Sequence, residues 1–595
     1  MSTYEDRLKA LREQLNRDRL DGFVVPLTDE HMSEYVGAYA QRLAWLTGFQ
    51  GSAGSAVVLP EEAAIFVDGR YTLQVREQVD GRHWQYVGVP QSSVAAWLRE
   101  HAPDGARIGY DPWLHTRAWV KQATGALAEK GAELVAVDSN PVDAVWPGRP
   151  EPSKAKLVVH PEHYAGRNAA DKRQEIADWL TSKKADATVL SALDSVAWVF
   201  NIRGQDVDRT PVALAYAIIH ADATADLYVA PEKLADDVIQ HLGNAVRVHD
   251  RKSFAGDLEQ FAGKRIASDP ERAVAAIFER LEKGGASVLE LRDPAVLPKA
   301  VKNAVEIAGH KAAQARDGAA LSRFLHWLSV EGPKGGQTEM SAADRLRAFR
   351  EDTGCLIDLS FDTISGSGPN GAVVHYRVED KTNRPIEPGT LYLVDSGAQY
   401  RDGTTDVTRT IAIGSPSQEM RQRFTLVLKG HIALARAQFP KGTRGSQLDV
   451  LARQYLWAAG FDYAHGTGHG VGSFLSVHEG PQRIATFGGG DEPLQPGMIL
   501  SNEPGYYKAG EYGIRIENLV LVEGREVPGA EQEMMGFETL TFAPIDRHLI
   551  EGSMLFDAER DWLDAYHARV REIVGPQLEG EALKWLEEAC RPIEL

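Results

Sequence analysis

The chain has 595 residues, more than one hydrophobic core can serve, so two to four domains are expected. Its 43% apolar and 25% charged residues are those of a folded globular protein and exclude a disordered one. A net charge of −19 without a strongly basic stretch excludes a general nucleic-acid binder, and only two cysteines, Cys355 and Cys590, exclude a disulfide framework or thiolate metal site.

The N-terminal segment is charged and helical in pattern, with Leu8, Leu11 and Leu15 on one face. No apolar run follows that could serve as a secretory signal or membrane span, so a cytoplasmic protein without membrane contact is expected. Strands are predicted at Gly22-Phe-Val-Val-Pro, around Gly54-Ser-Ala-Val-Val-Leu, and at Ala63-Ala-Ile-Phe-Val ahead of Asp68-Gly-Arg-Tyr. Their alternation with helices indicates an α/β domain. The proline-rich stretch from Asp138 to Pro152 reads as a linker.

The next segment repeats that plan. A charged helix with Ile176, Trp179 and Leu180 leads to a strand at Ala187-Thr-Val-Leu. Val196-Ala-Trp-Val-Phe-Asn-Ile-Arg-Gly then echoes Leu43-Ala-Trp-Leu-Thr-Gly-Phe, and strand-like runs follow at Ala213 and Ala225. A divergent tandem repeat is one reading, and two unrelated α/β segments with a core tryptophan the other. A second boundary falls near Asp293-Pro294, before long helices running from Val301 to Trp327. A further helix is expected to open at Ser341, with Asp344 completing a capping pattern. From about Ile357 alternation and glycine punctuation predict a mostly antiparallel sheet, and the last thirty residues return to helix.

That last third carries five candidate metal ligands in order: Asp395, Asp406, His469, Glu503 and Glu517. Four carboxylates and one imidazole suit two divalent cations about 3.5–4 Å apart, with manganese, cobalt, iron and zinc all open. Asp395 closes an apolar strand and Asp406 follows a turn at Asp402-Gly403, so a hairpin would put both carboxylates on one face. Glu503 and Glu517 repeat the arrangement around Gly505 and Gly513. Alternation sets Arg515 beside Glu517, where it could hold a ligand carboxylate. Singly, each acid could be a turn or loop residue; jointly they form a site.

These residues, with His465-Gly-Thr-Gly-His-Gly-Val-Gly, His478 in Ser476-Val-His-Glu-Gly-Pro, and Gly536-Phe-Glu-Thr-Leu-Thr-Phe-Ala-Pro-Ile-Asp, resemble the pita-bread metallopeptidases. Within that family, Trp146-Pro-Gly-Arg-Pro and Trp562-Leu-Asp-Ala-Tyr-His are similar to the large, three-domain aminopeptidase P type. The resemblance implies α/β and α+β architecture: creatinase-like α/β domains at 1–150 and 151–298, then a pita-bread catalytic domain at 299–595. It implies hydrolysis of the N-terminal Xaa-Pro bond of peptides by a hydroxide bridging two divalent cations, manganese above all, with zinc or cobalt as alternatives. Asp395, Asp406, His469, Glu503 and Glu517 would be the metal ligands. His375, His465, His478, Glu503 and Arg515 would serve catalysis, in a homodimer. Prolidase, which takes Xaa-Pro dipeptides, and a catalytically silent binding module are the competing readings.

Overall fold

A computed structural model of the chain describes residues 2–488 and 490–593. The chain forms two compact units, residues 1–162 with 167–296, and residues 163–166 with 297–595. Among the described residues no helix is long and apolar enough to cross a membrane.

The first unit holds two six-stranded sheets. One comprises β1 (Gly22–Pro26), β2 (Ser55–Val58), β3 (Ala63–Val67), β4 (Gln85–Gly88), β5 (Arg107–Tyr110) and β6 (Glu133–Ala136), in the order 4-3-2-1-5-6. The other comprises β7 (Ala187–Leu190), β8 (Ala215–His220), β9 (Ala225–Val229), β10 (Val246–His249), β11 (Arg265–Ser268) and β12 (Ser287–Glu290), in the order 10-9-8-7-11-12. Strand sense also matches pair for pair. β1–β2 and β2–β3 are antiparallel and the other three pairs parallel, as are their counterparts in the second sheet. The tryptophans of the two echoed segments sit in corresponding helices, Arg42–Thr47 and Leu193–Phe200, each between the first two strands of its sheet. The two segments are structural repeats.

Within the 138–152 linker, residues 140–146 pack onto the first core. Asn140 caps a short helix, Pro141–Val145, that begins with proline, a favourable residue at a first helical position. Val142 is buried in the first core, Arg42 grips Asp143 at 2.7 and 2.8 Å, and Trp146 stacks on Trp45 at 5.3 Å. Pro141 starts a helix that docks.

In the second unit the long helix runs Ala304–Glu331, capped by Asn303 with Glu306 reaching back, so Val301 lies outside it. The next helix opens at Glu339, not Ser341: Thr338 is its cap and Ser341 the third helical residue that completes the capping box. Every strand pairing described beyond residue 357 is antiparallel. Thr390–Ser396 lies between Ile364–Ser367 and Val407–Ile413 in a three-stranded sheet. A six-stranded sheet carries Gly468–Gly470 between Glu479–Ile484 and Ile499–Asn502. Helices Asp557–Val574 and Gly580–Ala589 close the chain, packing Leu563, Val570 and Leu586 into the same core as Ile514 and Ile516.

Candidate metal centre

Two hairpins and one glycine-bounded strand supply the site. In the first hairpin Asp395 faces Thr408 in the ladder, and Asp406 stands two residues before Thr408. It is therefore the diagonal neighbour of Asp395 on the same face. The expected hairpin exists, but with Thr408 directly opposite Asp395. The ladder continues in the same register through Gln399↔Thr404 and Tyr400↔Gly403, leaving only Arg401 and Asp402 at the tip.

The second hairpin is one ladder interrupted in the middle. Pairing runs from Ile499↔Leu521 to Asn502↔Asn518, stops, and resumes in the same register from Gly505↔Arg515 to Lys508↔Tyr512. Glu503 and Glu517 occupy the gap. Pro504 has no N–H to continue the ladder. The backbone N–H of Glu503 donates instead to the Thr467 carbonyl at 2.8 Å, and that of Glu517 to Thr408 at 3.2 Å. Both acids are thus tied to the neighbouring segments that carry the other candidate ligands.

His469 lies between Gly468 and Gly470, opposite Arg483, at a bulge after which Gly470 faces Glu479. A Cβ on Gly468 would run into the Ser501 carbonyl, and one on Gly470 into Gln482, so glycine allows the strand to sit close. The Nδ1–H of His469 donates to the Gly470 carbonyl at 2.9 Å. That leaves Nε2 as a lone pair, 3.4 Å from Asp406 Oδ2 and 3.5 Å from Glu503 Oε1. A lone pair against carboxylate oxygens is stabilised by a cation or proton between them. Asp406, His469 and Glu517 each offer a ligand atom within 4.8 Å of the others.

Electrostatics tell the same story. Burial and then the neighbouring Asp395 push the Asp406 carboxyl well above its ordinary range; burial and then Asp406 do the same to Glu517. Burial likewise raises Glu503 and holds the His469 imidazole down near 4. Asp395 Oδ1 is buried without a hydrogen-bond partner among the described residues. A crowd of desolvated carboxylates is the environment that bound cations would relieve, and four carboxylates with one imidazole fit two divalent ions.

Arg515, on the face predicted, donates to Asp395 Oδ2 and to Tyr507 Oη, each at 2.7 Å, and to Thr408 Oγ1 at 3.2 Å. His465 donates from Nδ1 to the Gly466 carbonyl, and its Nε2 accepts from Tyr507 O–H, both at 2.8 Å. The His478 ring stands edge-on to that of His469, centroids 4.2 Å apart. His375 is half-buried on the turn after Gly368–Ala372, a segment whose Gly371 backs onto Gly513. Contacts therefore join Asp395, Asp406, His469, Glu503, Glu517, Arg515, His465 and His478, while His375 connects through its segment.

Sequence reasoning missed three groups. Thr408 donates to Glu517 Oε2 at 2.7 Å; Ser501 Oγ donates to Glu503 Oε1 at 3.2 Å and accepts from His469 N–H; Tyr507 bridges His465 and Arg515. Thr408 was readable, two residues beyond Asp406 in an alternating strand. Ser501 and Tyr507 carry no local signal.

Residues 308–524 match metallopeptidase family M24 and residues 533–593 its C-terminal region, while 7–145 and 148–306 each match a creatinase/prolidase N-terminal domain. A protein of Aspergillus flavus named "Probable Xaa-Pro aminopeptidase P" is 42% identical over 611 residues, covering 99% of this chain and 92% of that one. One of Penicillium rubens with the same name is 42% identical, covering 99% and 98%. The crystal structure of an X-prolyl aminopeptidase from Caenorhabditis elegans, described as a cytosolic enzyme with a di-nuclear active site, matches with a TM-score of 0.94. It is 35% identical to this chain, over 100% of both.

Proposed function

The chain belongs to metallopeptidase family M24, and from that premise we propose that it is an Xaa-Pro aminopeptidase that removes the N-terminal residue from peptides with proline second. The observation that carries this reading is the buried convergence of Asp406, His469 and Glu517, with Asp395 and Glu503 in contact with the same cluster. Two divalent cations bound there, manganese first and zinc or cobalt as alternatives, would supply an activated bridging water and polarise the scissile carbonyl.

The chain's own groups do the rest. Glu503 takes a proton on its carboxylate and returns it to the departing proline nitrogen. His478 donates to the oxygen on which negative charge develops. His465, oriented by Tyr507, and His375 flank the scissile bond, and Arg515 holds Asp395 in place. The proposal includes domains at 1–150, 151–298 and 299–595, a homodimer, and a cytoplasmic setting.

The test is release of the first residue from Arg-Pro-Pro and from Arg-Pro, with and without manganese, alongside His469→Ala. Metal-dependent cleavage of the tripeptide, weak action on the dipeptide and an inactive variant are expected. Preference for the dipeptide would make the enzyme a prolidase, and no cleavage of either would overturn the assignment.

A further inference from the structure

The segment between Asp395 and Asp406 is pinched at its neck by one residue that none of the chemistry above uses. Thr405 N–H donates to the Ala398 carbonyl at 2.9 Å, and Ala398 N–H donates back to Thr405 Oγ1 at 2.9 Å. The Thr405 carbonyl accepts from Ser360 Oγ at 2.8 Å. Its hydroxyl spends its proton on Asp317 Oδ2 at 3.0 Å. All three hydrogen-bonding groups of this threonine are therefore committed, in four bonds and at full burial. The neck is also sterically closed: a Cβ on Gly397 would strike both the Thr405 carbonyl and Ser360 Oγ.

Asp317 is fixed in turn. It projects from the Ala304–Glu331 helix, receives Nε and Nη2 of Arg350 at 2.8 and 2.9 Å, and accepts from Tyr400 Oη at 2.8 Å. A buried ion pair of this kind adds little net stability over apolar residues of the same volume. What it does provide is a charged acceptor locked in one place, to which a hydroxyl must point. Asp395 lies two residues before Gly397 and Asp406 one residue after Thr405, so the neck governs how far apart their backbones stand.

The geometry points to Thr405, oriented by Asp317 and Arg350, as a positioning residue that sets the spacing of Asp395 and Asp406 and so lets the site hold two cations as a pair. This rests on the two-cation reading of the site and is independent of which peptide is cut. The ladder flanks the neck on both sides, Ser396 with Val407 and Gln399 with Thr404, and that this pairing alone sets the spacing is the alternative to exclude.

The experiment compares wild type, Thr405→Val, which keeps the β-branch and loses the hydroxyl, and Thr405→Ser, which keeps the hydroxyl. Each is loaded with two molar equivalents of manganese, then examined by electron paramagnetic resonance and calorimetric titration. Wild type and T405S are expected to give the exchange-coupled spectrum of a manganese pair. T405V is expected to give the spectrum of isolated manganese, with second-ion affinity lowered roughly tenfold or more, the usual cost of losing a residue behind a ligand. Should T405V not fold, Ser360→Ala removes one neck bond and is expected to weaken the second ion in the same sense. A folded T405V or S360A with the wild-type spectrum and affinity overturns the inference, as does a T405S that behaves like T405V. A wild-type chain that never shows a manganese pair refutes the two-cation reading, and this inference with it.

Discussion

Replacing Arg515 by methionine removes a guanidinium while keeping an unbranched side chain in its place. Arg515 is 1% exposed and makes three hydrogen bonds, to Asp395, Tyr507 and Thr408. Asp395 would lose its 2.7 Å charge-assisted bond, and its other oxygen already lacks a partner among the described residues. Leaving one member of a buried ion pair behind costs about 3–5 kcal/mol. The assay is urea unfolding in a chelator, with the transition of residues 297–595 followed by hydrogen exchange of peptides spanning 499–521. A loss of that size is expected, shrinking when manganese is restored, because cations then supply the counter-charge for Asp395. Arg515→Lys should recover only part, since a compact ammonium cannot reach all three acceptors. A loss below about 1 kcal/mol in chelator, the scale of an exposed pair, would refute the reasoning.

Three further outcomes are expected. Burial first, and then Lys302, holds His310 down near 3 against an ordinary 6.5, and both its ring nitrogens lack partners among the described residues. A depressed folded-state pKa means stability present above 6.5 that is lost as pH falls, about 2 kcal/mol by pH 5; His310→Leu should remove that loss, read as urea midpoints at pH 7.5 and 5. Glu479 is buried between Lys299, at 2.5 Å, and Lys302. Glu479→Gln removes the carboxylate that two buried lysines share and should cost about 3–5 kcal/mol in the same unfolding assay, whereas an unchanged midpoint would mean that the shared carboxylate does not hold them. Manganese at roughly a hundred times its dissociation constant should stabilise the second unit by about 2.7 kcal/mol over chelated protein, and His469→Ala should abolish most of that gain in thermal melting.

The five candidate ligands were legible because each sits at a strand end or glycine-bounded turn with visible alternation. The same alternation put Arg515 beside Glu517 and Ile514 with Ile516 on the core side. Register was not legible. Thr408 faces Asp395 because the ladder closes with only Arg401 and Asp402 at its tip, a loop length that the run of turn-forming residues did not single out. The repeat showed in its tryptophan echo, but its strand order is a tertiary outcome. The 138–152 stretch does hold the junction between the two N-terminal domain matches, 7–145 and 148–306, but the helix within it was not legible, because proline marks both linkers and helix starts. Ser341 misled because Thr338 and Ser341 satisfy the capping pattern without an acid. Asp317 and Arg350 gave no signal at all: they lie in different helices, 33 residues apart, and meet Thr405 only in the fold.

The most direct test of the central claim is anomalous diffraction from crystals of the manganese-loaded protein. The account predicts two peaks about 3.5–4 Å apart, enclosed by Asp395, Asp406, His469, Glu503 and Glu517. A single peak, or peaks away from these five residues, would contradict it.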